Sequence, residues 1–269
     1  MIHLAGRAHV PSKNADAETE AVYFRINAEG TRALGEQAAA VGVKHFVFLS
    51  SCHAVAAESE AQITEKTQSN PLTAYGRSKL EAERAIRKAL SNTACAWTIL
   101  RPPLVYGKGN KANFGLLLKL VKSGITLPLA SARNRRSFIY VENLVDVIMA
   151  CLGNPKAFGK TYLPSDGVDV STPELIRKIA KANLCFQCSE FSGSVSDKNT
   201  RHPSLATRDS ARLFPFPENA LKSMGRLPGL GALRKLTSSL YVDSEPLRKD
   251  LGWNPRFTME EGLLKTLIS

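Results

Sequence analysis

Up to residue 183 the chain alternates short apolar runs with longer amphipathic ones, and this alternation restricts the fold more than any single residue does. The apolar runs read as strands over 1–5, 44–50, 96–101, 137–141 and 160–164. Helices are expected between and after them, over 16–40, 71–90, 112–123, 141–153 and 172–183. Strands separated by helix-length segments are joined by crossovers, not hairpins, so they build a parallel sheet with helices on its faces. In such sheets ligands gather at the carboxyl ends of the strands. One strand, His45 to Leu49, delivers Ser50 and Ser51 there. The next, Ala96 to Leu100, is stopped by Arg101-Pro102-Pro103.

Within the expected helix 71–90 lies Tyr75-Gly76-Arg77-Ser78-Lys79. Residues four apart share a helical face, so Tyr75 and Lys79 sit one turn from each other. An ammonium beside a phenol favours the phenolate and is expected to lower the tyrosine pKa from about 10. That makes Tyr75 a candidate acid/base, with Ser51 as a neighbouring hydroxyl. Taken singly, each residue has a plainer reading: an ordinary tyrosine, a surface lysine, a turn serine.

Several ordered stretches carry a resemblance. Ile2-His3-Leu4-Ala5-Gly6, Asn27-Ala28-Glu29-Gly30-Thr31, Phe48-Leu49-Ser50-Ser51, Tyr75 to Lys79 and Leu100-Arg101-Pro102 follow one another in sequence. So do Lys111-Ala112-Asn113-Phe114, Asn134 to Val141 and Leu251-Gly252-Trp253. Together they resemble the extended short-chain dehydrogenase/reductases, in particular the UDP-glucose 4-epimerase-like branch and its bacterial surface-polysaccharide enzymes. The resemblance implies an α/β fold, a Rossmann-like doubly wound parallel sheet, N-terminally truncated, with a smaller C-terminal substrate-binding region. It implies a dinucleotide-binding domain over 1–165, with 106–136 contributing to the substrate region, and substrate binding over 166–269.

The same resemblance implies chemistry. Tyr75, Lys79 and Ser51 would be catalytic. Ala5, Gly6, Asn27, Ser50, Tyr75, Lys79 and Pro103 would contact the cofactor, NAD, with NADP left open. Asn113 and Arg136, with Ser51, would hold a UDP-sugar. The implied activity is that of a nucleotide-sugar epimerase or 4-keto reductase, or a dehydratase, acting at C4 of a UDP-hexose or UDP-N-acetylhexosamine. A homodimer is left open.

The chain also departs from the pattern. No Gly-x-x-Gly-x-x-Gly turn, the element that opens a helix against a cofactor pyrophosphate, occurs in the sequence. The chain therefore reads as the C-terminal three-quarters of an enzyme, whose first strand lacks a partner. An inactive remnant, or a fragment begun at a wrong start and acting as a binding protein, is the alternative. After the serines the chain reads Ala54-Val55-Ala56-Ala57, where the resemblance calls for Val-Tyr-Gly. Residues 185–211, polar and without periodicity, read as an inserted loop.

Composition narrows the classes. The net charge is +12, but the basic residues are scattered apart from Arg133 to Arg136 and Arg177 to Lys181, so no nucleic-acid role is expected. Five irregularly spaced cysteines do not make a disulfide framework, and Cys185-Phe186-Gln187-Cys188 lacks a second ligand pair for a metal. No apolar run is long enough to span a bilayer and the first residues carry no secretory signal, so a cytoplasmic protein is expected.

Overall fold

The structure is a computed structural model that describes residues 1–8, 17–110, 113–192, 213–217, 219–220, 223, 234 and 236–268. The chain divides into two compact units. The first comprises Met1–Val105, Ser137–Gly167 and Leu240–Arg256; the second comprises Tyr106–Arg136, Val168–Ser239 and Phe257–Ser269.

In the first unit, β1 (Ile2–His3), β2 (His45–Leu49), β3 (Ala96–Leu100) and β6 (Lys160–Tyr162) form a parallel sheet in the order β1-β2-β3-β6. Side chains alternate across it. Phe46 and Phe48 of β2 and Ile99 of β3 pack with Ala82, Ile86 and Leu90 on one face. Val47 and Leu100 pack with Leu144, Val147 and Ile148 on the other. Burial on both faces explains why these strands read as nearly unbroken apolar runs. β1 stands at one end of the strand order with Ile2 and Leu4 exposed.

The helices follow the expected order, with informative differences. The segment 17–40 is helical throughout but holds a π-helical stretch, Phe24–Glu29, between α1 (Ala17–Tyr23) and α2 (Gly30–Ala40). α3 (Ala74–Leu90) starts later than residue 71 because the Thr73 hydroxyl caps it, accepting from the Gly76 amide at 3.0 Å. Its buried positions, among them Gly76, Lys79, Ala82, Glu83, Ile86 and Leu90, recur every three to four residues. The expected strand 137–141 is shorter, and it does not join the main sheet. β5 (Phe138–Tyr140) pairs instead with β4 (Leu104–Tyr106), a strand the sequence did not announce. α5 (Val141–Cys151) follows directly, its start held by Asp166, whose carboxylate accepts from the Tyr140 amide at 3.1 Å.

In the second unit α6 (Thr172–Ser192) packs against α4 (Asn113–Lys122) and against the terminal helix Met259–Ile268. α6 runs nine residues beyond the expected end, so 185–192 are helical and not part of a loop. The remainder of the expected insert, 193–211, lies outside the described residues. Two capping boxes form. The Ser171 amide donates to Glu174 at 2.7 Å, and the Thr258 amide donates to Glu261 at 2.8 Å. Among the described residues no helix is long and apolar enough to cross a membrane.

Candidate active site

The parallel strand exits of β2 and β3 converge on the start of α3. Beyond β2, Ser51 adopts an extended backbone and opens the 3₁₀ turn Cys52–Ala54. Its hydroxyl oxygen accepts from the His53 amide at 3.2 Å. The hydroxyl proton remains available, and the Ser51 side chain lies near enough to the Tyr75 phenol to favour its ionised form. The Cys52 amide donates to Pro102 O at 3.0 Å, which ties the β2 exit to the Arg101-Pro102-Pro103 exit of β3. Gly76 lets α3 press onto this turn: a methyl there would lie 2.3 Å from the His53 carbonyl oxygen.

Tyr75 is held edge-on between two rings, Tyr23 at 6.2 Å and His53 at 6.1 Å between centroids. Burial pushes its pKa above the ordinary 10, and the Ser51 side chain works in the opposite direction. The expected lowering by Lys79 is not found. The Lys79 ammonium turns away from the phenol, donating to Leu49 O at 2.9 Å and lying 4.9 Å from the centre of the Phe48 ring. A shared helical face fixed where the lysine starts, not where its long side chain ends.

Lys79 is almost fully buried, and burial brings its pKa down to about 8 against the raising effect of Glu83. An ammonium has three N–H donors, and among the described residues only one of them finds a hydrogen-bond partner. Gly6 borders it: a methyl there would come within 3.0 Å of Lys79 Nζ and 3.3 Å of Asn27 Oδ1. A buried cation with donors to spare beside a bare backbone suits a hydroxyl-rich ligand such as a ribose. The residues present thus fit a ribose of NAD.

Asn27 and Ser50 take parts their sequence positions did not reveal. Asn27, within the π-helical stretch, accepts from the Arg7 amide at 2.7 Å and donates to Arg7 O at 3.0 Å and to Ser78 Oγ at 2.9 Å. It clamps the segment after β1, which includes Ala5 and Gly6, to α3. Ser50, expected to face a cofactor, instead turns its side chain inward and donates to Glu83 at 2.6 Å. Glu83 is fully buried and also accepts from Arg101 Nε at 2.9 Å, Arg101 Nη2 at 2.7 Å and Arg87 Nη2 at 3.3 Å. The sequence reading missed this cluster, although Glu83 stands one turn beyond Lys79.

The remaining candidates lie in the second unit. Asn113 is the first residue of α4. Arg136 is half-buried and exchanges backbone hydrogen bonds with Val170, both at 3.0 Å. His3, in β1 of the first unit, meets the Thr31 hydroxyl at 2.9 Å. Among the described residues no group of three or more His, Cys, Asp or Glu could hold a metal ion.

A parallel sheet with helices between its strands makes this a Rossmann-like α/β fold. The NAD dependent epimerase/dehydratase family matches residues 1–163, and the chain belongs to that family. The chain is 36% identical over 270 residues to UDP-glucose 4-epimerase of Vibrio cholerae, which covers 99% of this chain and 75% of that protein. It is 29% identical over 169 residues to the N-acetyl-alpha-D-glucosaminyl-diphospho-ditrans,octacis-undecaprenol 4-epimerase of Escherichia coli O157:H7, covering 62% of this chain and 51% of that one. The crystal structure of UDP-glucose 4-epimerase with UDP-glucose from Thermotoga maritima matches with a TM-score of 0.68 at 19% identity, covering 99% of this chain and 75% of that one.

Proposed function

We propose that this chain is a nucleotide-sugar enzyme acting at C4 of a UDP-hexose or UDP-N-acetylhexosamine, as an epimerase or 4-keto reductase. The observations that carry the reading are the Ser51 turn set beside Tyr75 and, one helical turn on, a buried lysine with unused donors. The two related proteins above support the position of attack, since both are named as 4-epimerases.

NAD, when bound, supplies the site that accepts and returns a hydride at the sugar carbon. Gly6, Lys79 and Asn27 would hold it, Gly6 by its bare backbone, Lys79 by its free N–H groups and Asn27 by fixing the segment after β1. The Tyr75 oxygen takes the C4 hydroxyl proton in one direction and gives it back in the other. Its raised pKa keeps it protonated at neutral pH in the ligand-free protein, which suits the proton-giving direction. Ser51 donates toward the same oxygen and steadies negative charge that develops there or on the sugar. Lys79 places a positive charge at the β2 exit. Arg136, whose guanidinium can meet two phosphate oxygens at once, is assigned to the diphosphate, and Asn113 to the UDP portion.

UDP-galactose incubated with the protein and saturating NAD, followed by proton NMR, tests the reading. Appearance of UDP-glucose is expected. Reduction of a 4-keto sugar nucleotide without epimerisation would choose the reductase. UDP binding by calorimetry with neither reaction would contradict the enzyme reading and favour a binding protein of the same lineage.

A further inference from the structure

We propose that Glu83 is a positioning residue for the acid/base pair: by gripping Ser50 and Arg101 it fixes the exits of β2 and β3 against α3, and so sets how Ser51 meets Tyr75. The inference rests on the reading of Ser51 and Tyr75 given above.

The geometry is specific. Glu83 and Tyr75 ride on one helix, two turns apart. Ser50 and Ser51 are neighbours on an extended chain, so their side chains point to opposite sides. Ser50 is anchored to Glu83 at 2.6 Å, which leaves Ser51 aimed at Tyr75. Arg101 reaches the same carboxylate through two N–H groups, at 2.9 and 2.7 Å. The next residue, Pro102, receives the Cys52 amide. One carboxylate thus ties down both strand exits and the helix that carries the phenol. A fully buried carboxylate with donors from Ser50, Arg87 and Arg101 holds a single arrangement, because any shift leaves a charge unpaired.

A merely structural ion pair would support stability without touching the phenol, so the test must read Tyr75 itself. The groups that face it are Tyr23 from α1, Ser51, Cys52 and His53 from the β2 exit, and Lys79 one turn along α3. Displacing the Ser51 hydroxyl removes the one influence that lowers its pKa. Protein labelled with carbon-13 at tyrosine Cζ is titrated without sugar or cofactor. The Tyr75 resonance is assigned by its absence in Tyr75→Phe, and circular dichroism follows the fold. In Ser50→Ala the Tyr75 midpoint is expected to rise by about half a pH unit or more, the size one neutral hydrogen bond supports. Glu83→Gln should move it the same way. If Glu83→Gln does not fold, Ser50→Ala, which leaves the ion pair in place, decides alone. With sugar, kcat of Ser50→Ala should fall while KM holds.

Titrations of Ser50→Ala that superimpose on the parent's, with the fold intact, would overturn the proposal. The titration needs no turnover. An inactive parent protein, or a harmless Tyr75→Phe, would defeat the proposed function while a shifted midpoint still upheld the positioning role.

Discussion

Two adjacent serines face two different environments. Ser50 sinks into a buried cluster with Glu83 and Arg101, flanked by half-exposed Arg87, where the Glu83 carboxylate accepts from all three. Ser51 opens a turn beside Tyr75 and Lys79, where a phenol has a raised pKa and an ammonium keeps unused donors. The first environment is saturated and the second is not. Saturation gives rigidity; unused hydrogen-bonding capacity is what a ligand can engage. The difference separates a scaffold from a site within two consecutive residues.

Four single variants and one double variant would break or sharpen this contrast. The largest effect is expected from Tyr75→Phe, which should lower turnover about 100- to 10,000-fold while leaving nucleotide-sugar affinity and thermal stability near the parent's. Steady-state kinetics with calorimetry checks it, and turnover within a few-fold would remove Tyr75 from the site. Glu83→Ala should act on the other side of the contrast. It strands the buried Arg101 guanidinium and should cost about 3–5 kcal/mol in urea unfolding. Replacing both partners, Glu83→Leu with Arg101→Met, should recover much of that loss, since two apolar groups leave no buried charge.

Lys79 gives a pH-dependent test. Its pKa of about 8 means the ammonium is lost as pH rises through that value, so kcat/KM should fall on that limb. Lys79→Met should abolish the limb along with much of the activity. The sign for stability is opposite: between about 8 and the ordinary 10.5 the folded protein binds fewer protons than the unfolded chain, so this residue's contribution to stability rises across that window. The smallest effect is expected from Ser51→Ala, about fivefold in turnover with thermal stability nearly unchanged, as for loss of one hydrogen bond of ~1 kcal/mol.

The fold and half of the site were legible for physical reasons. Apolar runs without helical period gave β2 and β3, because a strand buried on both faces has little else to show. The spacing of Tyr75 and Lys79 placed both on α3. What the sequence hid was long-range. Glu83 looks like a solvated helix residue until Arg101 and Ser50 arrive from 18 and 33 residues away to neutralise it. Phe138 to Tyr140 reads as a strand, but nothing local says that it pairs with β4. The polar end of α6 reads as loop because propensity is a weak guide where composition is mixed.

A double-mutant cycle on turnover tests most directly whether Ser51 and Tyr75 work as one acid/base unit. Ser51→Ala, Tyr75→Phe and the pair are compared with the parent. If the two hydroxyls act through one shared hydrogen bond, the double variant should be no slower than Tyr75→Phe alone. Losses that simply multiply would show two independent contributions and contradict a single unit.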